Sequence, residues 1–167
     1  TSNDDYNFDR SLLKSIKKCF ASLFNHRAVS YRNSMGYGDK NVKLSICIQK
    51  MVRSDIGSAG VAFSIDGDSG NPDVVVINGS YGLGEMVVSG QVNPDEFMVY
   101  KKKLNNYKPI IDKKLGKKDI KMVYSDTENT CIIPTSNKDY NSFCLTDDQV
   151  LLLSKWVVEI ENYYSNL

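Results

Sequence analysis

The sequence predicts a mixed α/β fold, a mostly antiparallel sheet with helices packed against it. Three observations carry that expectation. Short apolar runs of strand character recur through the middle of the chain, at 42–52, 60–65, 73–77, 98–100, 120–124 and 130–133. Longer segments with apolar residues at helical spacing stand near both ends. Glycine, aspartate and serine punctuate the runs as tight turns do.

Composition fits one domain spanning 1–167, with 41% hydrophobic and 25% charged residues. Lys plus Arg number 21 against 20 Asp plus Glu, a net charge of +1, which gives no electrostatic case for a nucleic-acid partner. No apolar run approaches the ~18–20 residues that span a bilayer. The opening TSNDDYNFDRSLLKS has neither an h-region nor a small-residue cleavage site. The expectation is a cytoplasmic protein with no membrane and no nucleic-acid partner. Cys19, Cys47, Cys131 and Cys144 form no C-x-x-C pair and His26 is the lone histidine, so metal-ligand spacing is absent. The thiols, Cys19 in a helix pattern and Cys47 in a strand pattern, read as buried and reduced.

Each element has its own signal. Over 9–24, Leu12, Ile16, Cys19, Phe20 and Leu23 share one helical face, with Lys14, Lys17 and Lys18 mostly opposite. Asn25-His26-Arg27 interrupts or ends that helix, and 28–37 reads as a second helical piece closed by Gly36 and Gly38. In 42–52, Val42, Leu44, Ile46 and Ile48 alternate with polar or small residues, the pattern of a strand. A loop at 53–58, a strand at 60–65 and a turn at Asp66-Gly67-Asp68-Ser69-Gly70 follow. Residues 101–119 are lysine-rich and read as an exposed hairpin or loop. Thr146 is a good N-cap, with Asp147 and Asp148 in the first turn and Gln149 at the capping-box position. Val150, Leu153, Trp156, Val157 and Ile160 line one face of that last helix. No Gly or Pro stop follows, which suggests a piece of a larger protein.

Two places present polar groups as ligand sites do. The run Val74–Ile77 drives into Gly82-Leu83-Gly84 and then Glu85. Glycines let backbone approach a ligand and supply positive φ. Glu85 would accept from ribose hydroxyls or meet a cation, or it is a solvated loop acid. In Gln49-Lys50-Met51-Val52-Arg53, backbone groups could meet an adenine edge with Met51 stacked on the base, or the segment is a strand end with one core methionine. Asp66–Gly70 partly mimics a calcium loop, but Ile77 stands where the closing glutamate belongs, so a turn is expected. His26, Arg27 and Arg32 could contact phosphates, although pairing or helix capping explains them as well. The lysines between 101 and 118 read as a solvated face, with a docking patch as the minor reading. No Ser/His/Asp set and no G-x-x-x-x-G-K-[ST] loop is present.

The ordered set FASLFNHRAVSYR at 20–32, IQKMVRSDIGSAGVAFSIDGDSG at 48–70, INGSYGLGEMVVSGQVNPDEFMVYK at 77–101, KMVY at 121–124 and LTDDQVLLLSKWVVEIENYY at 145–164 resembles the ATP-binding domain of the phosphoenolpyruvate synthase (pyruvate, water dikinase) family. The resemblance implies an ATP-grasp-like nucleotide-binding subdomain. It also implies that ATP phosphorylates a histidine on a separate domain, which passes the phosphoryl group to pyruvate in a barrel domain, with magnesium. Gln49, Lys50 and Met51 match the adenine-side segment, and Glu85 matches the acid of the Gly-Leu-Gly-Glu motif, a candidate ribose or phosphate-side contact. The family's upstream lysine and Val-Arg-Ser-Ser segment, its downstream metal-binding acid, glutamine and arginine, the phosphorylated histidine and the barrel have no counterpart here. The resemblance therefore implies ATP as ligand, magnesium held by residues outside this chain, the rest of the parent enzyme as partner, and no catalytic or metal-binding residue in 1–167. Related dikinases and antibiotic phosphotransferases share such a domain, and a non-catalytic module derived from it is the reading from another class.

Overall fold

The computed structural model describes residues 3–38, 42–104, 109–125 and 129–165, with the side chains of the first helix from Arg10 onward. The chain divides into two compact units, Thr1–Met51 and Val52–Leu167.

The first unit carries α1 (Asn3–Ala21), a 3-10 turn at Ser22–Phe24 and α2 (His26–Ser34). Asn25 caps α2, its side-chain oxygen accepting from Ala28 N at 2.8 Å. Gly36, at φ +75°, follows the helix end in the left-handed conformation. Leu12, Ile16 and Leu23 are half-buried, as the predicted stripe requires, but Cys19 and Phe20 are exposed. The alternation over 42–52 does not produce a strand. The segment forms no ladder among the described residues, and Val42, Leu44 and Ile48 are exposed. A period-two pattern makes a strand only where a neighbouring strand takes its backbone groups.

The second unit holds an antiparallel four-stranded sheet in the order β1 (Ser58–Phe63), β2 (Val74–Tyr81), β3 (Asp95–Tyr100), β4 (Ile110–Lys114). A separate hairpin pairs β5 (Ile120–Ser125) with β6 (Asn129–Pro134). Two short helices, α3 (Glu85–Val88) and α4 (Asn137–Tyr140), precede the long α5 (Asp147–Ser165). The architecture is thus mixed α/β, with antiparallel sheets and flanking helices. Sheet and α5 enclose the main core of Val75, Ile77, Phe97, Val99, Cys144 and Val150. Met86, Val92 and Met122 form a second cluster between α3 and β5.

The capping box of α5 forms in both directions. Gln149 Oε1 accepts from Thr146 N at 2.9 Å, and Thr146 Oγ1 accepts from Gln149 N at 3.3 Å. The core face of α5 is Val150, Leu151, Leu153, Ser154, Val157 and Val158, whereas the predicted face members Trp156 and Ile160 are 50% and 58% exposed. The helix is therefore apolar on two sides, and one hydrophobic stripe cannot be read from spacing alone.

The segment 101–119 completes an antiparallel β3–β4 hairpin that is largely exposed, as expected, but departs from expectation at its end. It holds a 3-10 turn at Lys101–Lys103 and the edge strand β4, and residues 105–108 lie outside the described residues. Lys118 is fully buried against fully buried Asp95. Asp95 Oδ1 accepts from Lys118 Nζ and from Gly116 N at 2.8 Å, while Oδ2 accepts from Cys144 N at 2.7 Å. One carboxylate at the head of β3 thus ties down the connection before β5 and the loop before α5. The thiols are corrected as well: Cys19 and Cys47 are exposed, and Cys144 is the buried one. Burial, then the Asp95 charge, pushes the Cys144 thiol up.

Candidate functional site

The loop after β2 is built as its glycines suggest. Gly82 stands at φ +86°, and a Cβ there would lie 2.5 Å from Met122 O. Only glycine fits that conformation and that approach. Gly82 N donates to Gly57 O at 3.0 Å, and Leu83 N donates to Met122 O at 2.9 Å. The loop is therefore anchored on one side to the turn before β1 and on the other to β5. Gly84, at φ −65°, is the N-cap of α3, and Glu85 opens that helix with an exposed side chain. A buried strand, β2, ends in this anchored loop and presents one acid to solvent.

The turn before β1 contributes a second feature. Arg53 Nε and Nη2 each donate to a different oxygen of Asp55 at 2.8 Å. Asp55 is buried, and hydrogen bonding from Arg53 holds its carboxyl below the ordinary range against the opposing effect of burial. The same bonds raise the Arg53 value. Arg53 Cζ lies 5.7 Å from the centre of the Tyr124 ring on β5, close enough for a cation–π contact. The Tyr124 hydroxyl is buried with no hydrogen-bond partner among the described residues. From the sequence, 53–58 reads as a plain turn or loop. The Arg-x-Asp spacing was the available signal, while Tyr124 is brought there by the fold.

Gln49, Lys50 and Met51 are consecutive exposed residues at the end of the first unit, with Met51 66% exposed. Glu85 belongs to the second unit. Met51 is not a core methionine, and the segment it closes is not a strand. His26 and Arg27 are exposed at the start of α2, and Arg32 is buried in its last turn. Asp66–Gly70 is a β1–β2 turn in which Asp66 accepts from Asp68 N at 3.1 Å and from the Ser69 hydroxyl.

The lysine-rich face is largely neutralised. Lys101 meets Glu161 at 2.8 Å, Lys102 meets Asp73 at 2.6 Å, Lys113 meets Asp147 at 2.9 Å and Lys114 meets Glu96 at 2.7 Å. Lys118 meets Asp95. A hollow of about 200 Å³ between β1, β2 and α5 is lined by Ser58–Ala62, Ile77–Gly79, Leu145 and Leu153. Its lining has no charged side chain, and neither Glu85 nor Arg53 contributes to it. Among the described residues no group of three or more His, Cys, Asp or Glu side chains stands together to hold a metal ion. No described helix is long and apolar enough to cross a membrane.

Fold and loop together define a mixed α/β domain that presents a glycine-bounded acid and, on a turn hydrogen-bonded to the same loop, an arginine clamp. Residues 6–167 match the family model for the pyruvate phosphate dikinase AMP/ATP-binding domain, and the chain belongs to that family. It is 51% identical over 158 residues to the phosphoenolpyruvate synthase of Helicobacter pylori, covering 92% of this chain and 20% of the relative. It is 48% identical over 157 residues to that of Aquifex aeolicus, covering 93% and 18%. Against the Escherichia coli phosphoenolpyruvate synthase it is 46% identical over 159 residues, covering 92% and 20%. The chain thus spans about a fifth of the length of these curated relatives.

Proposed function

We propose that this chain forms the adenine side of the ATP site in a phosphoenolpyruvate-synthase-like phosphotransferase, within an ATP-grasp-like domain. Gln49, Lys50 and Met51 contact the base, through backbone groups and the Met51 thioether. Glu85 accepts hydrogen bonds from the ribose hydroxyls. ATP would then phosphorylate a histidine on a separate domain, and that phosphohistidine would phosphorylate pyruvate, giving phosphoenolpyruvate, AMP and phosphate overall. Phosphoryl transfer rests on positioning and charge neutralisation. This chain's part is positioning, and the magnesium ligands, acceptor histidine and pyruvate barrel belong to the rest of the parent. By itself the chain is inactive. The reading places the protein in the cytoplasm.

The family match over 6–167 carries the reading. The exposed acid on the anchored loop gives it a chemical handle. Steady-state kinetics of Glu85→Ala in the intact parent test it. The expected result is a rise in KM for ATP of about tenfold, the order of one lost hydrogen bond to a charged group, with KM for pyruvate unchanged. Unaltered ATP kinetics would remove Glu85 from the site.

A further inference from the structure

Arg53 is more exposed than a residue that merely neutralises a buried acid needs to be. Its side chain is 64% exposed, whereas that of its partner Asp55 is 6% exposed. A guanidinium carries five N–H donors. The two bonds to Asp55, each at 2.8 Å, use Nε and one hydrogen of Nη2. Three donors remain on the edge turned away from the carboxylate. Tyr124 contributes a third restraint, its ring centre 5.7 Å from Cζ. An arginine held this way has already lost much of the freedom that binding an anion would otherwise take from it.

The clamp is joined to the glycine loop at both flanks. Gly57, two residues after Asp55, accepts from Gly82 N, and Met122, two residues before Tyr124, accepts from Leu83 N. Arg53 and Glu85 therefore stand on segments hydrogen-bonded into one framework.

We infer that Arg53 is an anion-binding residue of this site, donating to a phosphate oxygen of the bound nucleoside triphosphate, with Asp55 as the positioning residue that orients it. The inference rests on the nucleotide reading above and adds a phosphate contact to a chain otherwise assigned only the base and ribose. Because Asp55 offsets the charge of Arg53, the contact works through directed hydrogen bonds. Charge alone does not replace it, so lysine is a poor substitute.

The test is calorimetric binding of ATP and of adenosine to the intact parent protein. Arg53→Gln is expected to weaken ATP by roughly tenfold or more and to leave adenosine within about twofold. Arg53→Lys, which keeps the ion pair, is expected to lose most of the same affinity. Asp55→Asn is expected to weaken ATP alone, to a smaller extent. Where Arg53→Gln does not fold because Asp55 is left buried and unpaired, Arg53→Gln/Asp55→Asn is read in its place. Equal loss for ATP and adenosine would make the clamp structural, and an unchanged ATP constant, or full rescue by lysine, would overturn the inference. If the unaltered protein binds neither ligand, the nucleotide reading falls and this one with it. If Glu85→Ala weakens both ligands while the Arg53 variants weaken neither, this inference alone falls.

Discussion

Lys118 and Asp95 show what one buried contact can impose on a side chain. Both are fully buried, and the carboxylate accepts from Lys118, Gly116 N and Cys144 N. Desolvating two charges is costly, and the pair survives because nearly every lone pair is used. Lys118→Met removes the cation and leaves the buried carboxylate, so a loss of about 3–5 kcal/mol is expected. Asp95→Asn/Lys118→Met removes both charges and keeps an acceptor for one of the two backbone amides, so without the stranded charge it should lose less. Urea unfolding of the two variants measures the difference, and equal losses would mean that the ion pair is not what holds this corner. None of this was legible in the sequence, where Lys118 is one lysine among Lys113, Lys114 and Lys117. Its burial is decided by Asp95, which the β3–β4 pairing brings near.

Among the elements, those that proved legible carry their own local signal. β2 reads as a strand because a continuous apolar run is buried on both faces, and α5 begins at Thr146 because a reciprocal cap needs only four consecutive residues. The segment 42–52 has an equally clear alternation and no strand, since a ladder needs a neighbour that pattern cannot supply. The glycine loop and Glu85 were visible for the same local reason as the cap, whereas the Arg53–Asp55–Tyr124 clamp needs β5 to fold beside the turn. The loop itself offers a controlled comparison. Gly82 and Gly90 both have positive φ, +86° and +70°, but a Cβ on Gly82 meets Met122 O at 2.5 Å while one on Gly90 meets nothing within 4 Å. Gly90→Ala should cost only the left-handed penalty, about 1–2 kcal/mol. Gly82→Ala adds a backbone clash and should cost more, while also breaking the Leu83–Met122 anchor. Thermal unfolding of the pair decides it, and equal shifts in Tm would show that the close approach relaxes freely.

At the scale of the whole molecule the two units differ in kind. The second has a closed core around Val75, Phe97 and Val150, whereas Arg32 is the one buried residue described in the first. Large apolar side chains stand exposed in each, Phe24 at 78% in the first and Trp156 at 50% in the second. The function proposed above assigns this chain mainly the base and the ribose, so it is not expected to grip a polyphosphate tightly by itself. The phosphate contact proposed for it is Arg53, whose charge is shared with Asp55. One charge-assisted hydrogen bond is worth about 1.5–3 kcal/mol, and an adenine edge with a ribose contact adds a few bonds of similar or smaller size. Against the freedom lost on association, the 167-residue chain should bind ATP no better than about millimolar. Isothermal titration of the chain with ATP measures this directly. A micromolar constant would mean that the triphosphate is held by residues within 1–167, and the division of labour between this chain and the rest of its parent would have to be redrawn around them.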